Sequence, residues 1–272
     1  MYKRQAIAIA ELPLLDRWML QRTAEVMDDI TEAFESFEFF RFFQLLQNFC
    51  VTDLSNFYLD IAKDRLYVSA SQDQRRRSCQ TVMAMIIERL AGLIAPVLCH
   101  MAEDIWQNLP YPVEETSVFH RGWPTVPAEW RDAALSAPVQ ELRELRAAVN
   151  KVLEDCRGRQ ELGASLEAAV RIDARRPELQ AALSWLSKTG DAEVDGLRDW
   201  LLVSQLQIGG EPWAELLASQ DDKLASIEVS RARGTKCERC WHYEGDVGQH
   251  PEHPHICGRC VGVLERRTHQ LT

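Results

Sequence analysis

Apolar residues return at helical spacing through the first 160 positions of the chain and then change rhythm. From Pro13 onward, Leu15, Trp18, Met19, Val26, Ile30, Ala33 and Phe34 recur at three- and four-residue steps, with Asp28, Asp29 and Glu32 on the other side. That spacing lays one apolar stripe along a helix and predicts a surface helix of a bundle. Residues 37–66 are far more apolar, with Phe39, Phe40, Phe42, Phe43, Leu45, Leu46, Phe49, Leu54, Phe57, Tyr58 and Ile61. A helix apolar around most of its circumference has to be surrounded by others, so the pattern places this one at the bundle centre. A third run, Ser78 to Leu109, is expected to kink at Pro96, which cannot donate the backbone bond four residues back. Pro110, Pro112, Pro124 and Pro127 mark an extended connector over 110–137. Pro138 suits a first helical turn, and Leu142, Leu145, Val149, Val152 and Cys156 follow on one face before Gly158.

Beyond Arg159 the period changes. Leu166, Ala168, Val170 and Ile172 alternate as in a strand, Pro177 to Lys188 reads as a short helix stopped by Gly190, and 201–208 and 227–229 read as strands. The chain is therefore expected to be mainly α: an antiparallel helical bundle over 12–159, a small mixed α/β junction over 160–234, and a cysteine-bearing tail over 235–272. Residues 1–11 are expected to be unstructured or artefactual. Tyr2 to Gln5 back-translate to TAT AAG AGA CAG, the end of a transposase sequencing adapter, so Met1 to Gln5 are expected to be an artefact of a junction.

Composition narrows the class. The 272 residues are 46% hydrophobic, enough for one large or two small cores. The longest apolar run, near Leu90 to Cys99, is interrupted by Gly92 and Pro96, so no membrane span is expected. The apolar start is cut short by Glu11 without a cleavage site, which predicts no signal peptide and a cytoplasmic protein. A formal charge of -10 opposes indiscriminate binding to nucleic acid. Local basic clusters remain: Arg231, Arg233, Lys236 and Arg239 in one place, and Lys63, Arg65, Arg75, Arg76 and Arg77 in another. On charge alone a solvated face is the usual fate of such a run.

The densest chemistry lies in the tail, where Cys237 and Cys240 form one C-x-x-C, Cys257 and Cys260 another, and sixteen residues separate them. Two residues between cysteines let one knuckle point both sulfurs at a single ion, and the connector is long enough to bring the second knuckle opposite. Four thiolates around zinc make a closed tetrahedral site with no place for water, so this Zn2+ would be structural. Two disulfides, or a redox pair, are competing readings, but nothing else in the chain suggests an oxidising compartment or a thioredoxin-like unit. His242, His250, His253 and His255 crowd the connector and are alternative ligands. Trp241 is a candidate stacking platform for a base or, equally, a lid over the metal. Cys50, Cys79, Cys99 and Cys156 sit singly within helical patterns as ordinary buried thiols.

Several strings taken together carry a resemblance: LDRWML from Leu15, NFCVTDLSNFYLDIAKDRLY from Asn48, RRRSCQTV from Arg75, LIAPVLCHMAEDIW from Leu93, VNKVLED from Val149, LGASLEAAV from Leu162, LLVSQLQI from Leu201, and KCERCWHY with CGRCV. From Leu12 onward the chain resembles the C-terminal part of bacterial isoleucyl-tRNA synthetases. The resemblance implies a class I synthetase anticodon-binding bundle followed by a zinc finger, Cys237, Cys240, Cys257 and Cys260 as the zinc ligands, and tRNA(Ile) as partner. Candidate RNA contacts are Arg75, Arg76, Arg77, Arg231, Arg233, Lys236, Arg239 and Trp241. It also implies catalytic and editing domains that this sequence lacks. Neither a His-Ile-Gly-His-type motif nor a Lys-Met-Ser-Lys-Ser-type loop occurs, nor any glycine-rich phosphate cradle. ATP would belong to the complete enzyme, and this chain alone is expected to have no catalytic residues and to be inactive.

Two other classes compete. Formamidopyrimidine-type DNA glycosylases end in a similar finger, but they require a proline nucleophile where Tyr2 stands, so DNA is not expected as a partner. A stand-alone zinc-stabilised module for RNA or protein interaction is the other alternative.

Overall fold

A computed structural model describes residues 6–190 and 196–269. The expectation for Met1 to Gln5 lies outside the described residues. Two compact units form: residues up to 66 together with 72–136, and residues 67–71 together with 137 onward.

The first unit is helical. α1 (Leu14–Glu35) buries Leu15, Met19, Leu20, Ala24, Met27 and Ile30, and with them Asp16 and Thr23. Its burial therefore runs round most of the helix, and α1, not the aromatic segment, is the central element. It packs against α2 (Phe39–Asn48), the π-helical stretch Phe49–Leu59 that follows, and α4 (Gln74–Ile94). α2 buries Phe42 alone, while Phe37, Phe39, Phe40 and Phe43 stand more than half exposed. The expected order is thus reversed. Small and polar residues complete the buried surface of α1, and the large rings of α2 face outward. Phe34 receives Phe39, Phe42 and Trp123 edge-on, with centroids 5.7, 4.9 and 5.1 Å away.

The wide π turns bring Asp53 inward to accept from Arg22 Nε at 2.8 Å. They lead into α3 (Asp60–Tyr67). There Tyr58 Oη and Arg65 Nη1 donate to the two oxygens of Asp16 at 2.5 and 2.9 Å, all three side chains being buried. Burial, and then the Asp16 carboxylate, push the Tyr58 phenol well above the usual tyrosine range. Asp73 caps α4 by accepting from the Arg75 backbone N–H at 2.9 Å. Pro96 ends α4 instead of kinking it, and a separate α5 (Cys99–Gln107) follows. The connector then folds as three short 3-10 turns and buries Tyr111 and Trp130. Residues 6–11, expected to be unstructured or artefactual, include a 3-10 turn at Ile9–Glu11, and the Ile7 N–H donates to Thr81 Oγ1 at 3.1 Å.

The second unit owes its core to one more helix, α6 (Ser136–Gly158). Sequence assigned it to the bundle. Its Leu145, Val149, Val152, Leu153 and Cys156 instead join Val170, Ile172, Leu201, Ile227 and Val229 in a single buried cluster. Over these lies a four-stranded sheet of order β2-β1-β4-β3, with β1 (Ala168–Ala174), β2 (Gln205–Ile208), β3 (Ala218–Asp221) and β4 (Ala225–Arg231). β1 pairs in parallel with β2, Val170 facing Leu206, and antiparallel with β4, Val170 facing Val229. The crossover from β1 to β2 carries α7 (Pro177–Thr189) and α8 (Leu197–Leu201). The expected strand from 201 therefore starts only at Gln205, because α8 runs through Leu201 and Leu202 turns left-handed at φ 55°. A buried Arg171–Glu228 pair at 3.0 Å holds the loop after β2: Arg171 Nη2 also donates to Gly210 O at 2.5 Å, and Glu228 accepts from the Trp213 N–H at 2.9 Å.

The tail adds the short β5 (Thr235–Lys236) and β6 (Tyr243–Glu244), then α9 (Gly258–His269). Among the described residues no helix is long and apolar enough to cross a membrane. The architecture is mainly α, with one small mixed sheet and a four-cysteine knuckle.

Candidate functional site: a four-cysteine metal centre

Each knuckle is set by backbone hydrogen bonds. β5 and β6 flank the first, where the Trp241 N–H donates to Cys237 O at 2.9 Å and the Cys237 N–H to His242 O at 2.8 Å. Gly234 opens this ribbon at φ 98°, and a Cβ there would stand 2.5 Å from the Glu244 carbonyl oxygen, so the position admits only glycine. The second knuckle leads into α9, whose first N–H, from Gly258, donates to Asp246 Oδ2 at 2.7 Å. Arg198 ties the ribbon to α8 through Glu244 at 3.1 Å.

Four buried sulfurs converge. Cys237 and Cys260 lie 3.8 Å apart, Cys240 and Cys257 3.7 Å, and all four ligand atoms fall within 4.8 Å of one another. Zinc held by four thiolates at about 2.3 Å sets neighbouring sulfurs about 3.8 Å apart, the edge of the tetrahedron. A disulfide would need about 2.05 Å, and all eight cysteines are free. Hydrogen bonds from the Cys257 and Cys260 thiols hold the Cys240 sulfur far below the ordinary thiol range. The resulting thiolate pushes Cys257 up to about 11 and Cys260 higher still. Thiols so crowded cannot all ionise without a cation among them, and a divalent metal supplies it. The geometry and donor set fit one structural zinc.

No histidine joins the donors: among the described residues the cluster is the four cysteines alone. His250 faces Asp246 at 3.5 Å, His255 is exposed beside Glu238, and His242 is buried.

Trp241 is not a lid. The residue is 62% exposed, with its backbone left-handed at φ 66° and Lys236 Nζ 5.8 Å from the ring centroid. Arg231, Arg233 and Lys236 are exposed along the same stretch. Arg239 is placed differently, half-buried, with Nη1 donating to Cys260 Sγ at 3.5 Å and Nη2 to Val68 O at 2.6 Å. Arg75, Arg76 and Arg77 lie half-buried in the first turn of α4, where Arg75 meets Asp64 at 3.7 Å and Arg77 donates to Gln80 at 3.0 Å. Sequence reasoning missed Val68 and Asp246 as parts of this site. Asp246 stood in plain view twelve positions before Gly258, whereas nothing marked Val68.

Comparison with known proteins agrees with this geometry. The family described as the anticodon-binding domain of tRNA ligase matches residues 16–172, and the zinc finger found in FPG and IleRS matches residues 234–262. Relatives include an isoleucine–tRNA ligase of Parasynechococcus marenigrum (strain WH8102), 87% identical over 98% of this chain. Those of Synechococcus sp. (strain CC9311) and Prochlorococcus marinus (strain MIT 9313) are 76% and 74% identical over 97% of it. The chain spans 27% of the length of each of these relatives. The helical region and the zinc knuckle that follows it in sequence thus have a common source: the chain belongs to the anticodon-binding domain family of tRNA ligases and carries an IleRS-type zinc finger.

Proposed function

We propose that the chain is the tRNA(Ile)-binding C-terminal portion of a cytoplasmic isoleucyl-tRNA synthetase, supporting the ATP-dependent attachment of isoleucine carried out by catalytic domains outside this sequence. One observation carries the reading. The knuckle holds Trp241 outward in a left-handed conformation beside Lys236, with Arg231 and Arg233 on the same exposed stretch. An exposed indole flanked by cations is what an unstacked base and its phosphate require. Arg75, Arg76 and Arg77 are proposed as further phosphate contacts. Arg239, with both terminal nitrogens engaged inside the protein, is proposed to support RNA only through the knuckle it braces.

Titration with tRNA(Ile) at increasing salt tests this. Each phosphate contact made by a lysine or arginine releases counterions, so affinity should fall steeply between low and moderate salt. Arg231→Gln with Arg233→Gln should flatten that slope. Affinity indifferent to salt would refute the reading and favour a zinc-stabilised module that binds protein.

A further inference from the structure

We infer that Arg239 is a positioning residue: its guanidinium joins the Cys260 sulfur to the Val68 carbonyl, so that zinc occupancy fixes the turn 67–71. The inference rests on the zinc site and not on RNA binding.

Three observations lead there. Residues 67–71, which connect α3 to α4 in the chain, belong to the second unit. Val68 is buried in one cluster with Cys237, Cys240, Cys257 and Cys260, with Val247 and Ile256 packed against it. Arg239 then spans the two partners, Nη1 3.5 Å from Cys260 Sγ and Nη2 2.6 Å from Val68 O.

The chemistry suits an arginine. Four thiolates around Zn2+ leave a net charge of about -2, and donors outside the ligand sphere offset it and orient the sulfurs. Arg239 donates to Cys260, and Arg259 faces Cys240. Arg239 also reaches the turn, through the second arm of a rigid fork whose terminal nitrogens point in fixed directions. Because Arg239 sits between Cys237 and Cys240, its position is set by the knuckle. With the metal removed, nothing holds the sulfurs at tetrahedral spacing, and the guanidinium loses the acceptor that aims it at Val68.

Hydrogen exchange of the whole chain, read by mass spectrometry, tests this. Four samples are compared: zinc-loaded protein, chelated protein, and zinc-loaded Arg239→Gln and Arg239→Met, with zinc per chain measured for each. Chelation should speed exchange over 235–261 and at 67–71 together. In a variant retaining one zinc, exchange should rise at 67–71 by roughly tenfold or more, the scale of a lost hydrogen bond to a charged group. Protection over 235–261 should remain. Wild-type protection at 67–71 in either zinc-loaded variant, or no response there to chelation, overturns the inference. Loss of zinc from both variants also overturns it, since Arg239 would then retain the metal and not position the turn.

Discussion

Removing zinc should unfold the tail and leave the rest of the chain standing, and the structure sets the size of the effect. The cluster around the four cysteines holds Val68, with Val247 and Ile256 packed at its margin, and Val261 and Val263 are buried nearby. Each fully buried valine contributes about 1.5 to 3 kcal/mol. The valines here that are at most 9% exposed, Val68, Val261 and Val263, therefore contribute at most about 9 kcal/mol. A structural zinc contributes about 10 to 16 kcal/mol, more than that apolar contribution and comparable to the whole stability of a domain. The core built by α6 and the sheet shares no residue with this cluster. Chelation followed by iodoacetamide labelling and limited proteolysis should show Cys237, Cys240, Cys257 and Cys260 becoming reactive and cleavage confined to residues beyond 234 and to the turn 67–71 that packs on them. Helical circular dichroism should fall only by the contribution of α9. If the four thiols stay unreactive after metal removal, or if the whole chain melts at once, the reasoning fails.

Three further outcomes follow from named contacts. Arg65→Met removes the guanidinium that donates to the buried Asp16 carboxylate beside Tyr58 and should destabilise the first unit by about 3 to 5 kcal/mol in urea melts. Phe40, 73% exposed, should tolerate Phe40→Ser within about 0.5 kcal/mol, whereas Phe42→Ala should cost about 3 to 5 kcal/mol; equal costs in the same melts would restore the aromatic helix to the core. Trp241→Gly should leave the chelator resistance of the finger unchanged or raised while weakening tRNA(Ile) binding roughly 5- to 150-fold, the worth of one stacked base, and a loss of metal instead would make the indole structural.

How much of this could be read in advance depended on how local the signal was. The four ligands were legible because two residues of spacing fix a knuckle whatever surrounds it. The helices of the bundle and strands β1 and β4 were legible because apolar residues repeat with the period of the backbone, although β1 is buried on both faces. Which helix lies inside was not. α1 completes its buried surface with Asp16, Gln21 and Thr23, residues a hydrophobic count passes over, while Phe37, Phe39, Phe40 and Phe43 inflate the same count for a face that stays in solvent. α6 illustrates a second limit. Its stripe announced a helix with one buried face, but a stripe carries no address, and the core it joins is made of strands that follow it in sequence. Val68 and Arg239, 171 residues apart, show the third, since a contact at that range leaves no local pattern.

The tail also shows why its metal matters beyond holding it together. Two residues of the ribbon adopt left-handed backbone, Gly234 at φ 98° and Trp241 at φ 66°. At Gly234 the neighbouring Glu244 carbonyl leaves no room for a Cβ, so glycine is a steric requirement. At Trp241 the side chain is exposed and no such crowding applies, yet a large aromatic there costs about 1 to 2 kcal/mol against glycine. A structural zinc site contributes several times that cost, and what it holds is an indole turned outward beside Lys236. The metal thus does more than replace a hydrophobic core: it adds to the apolar contacts a stabilisation well above the strain at Trp241, where the left-handed backbone puts an aromatic surface into solvent.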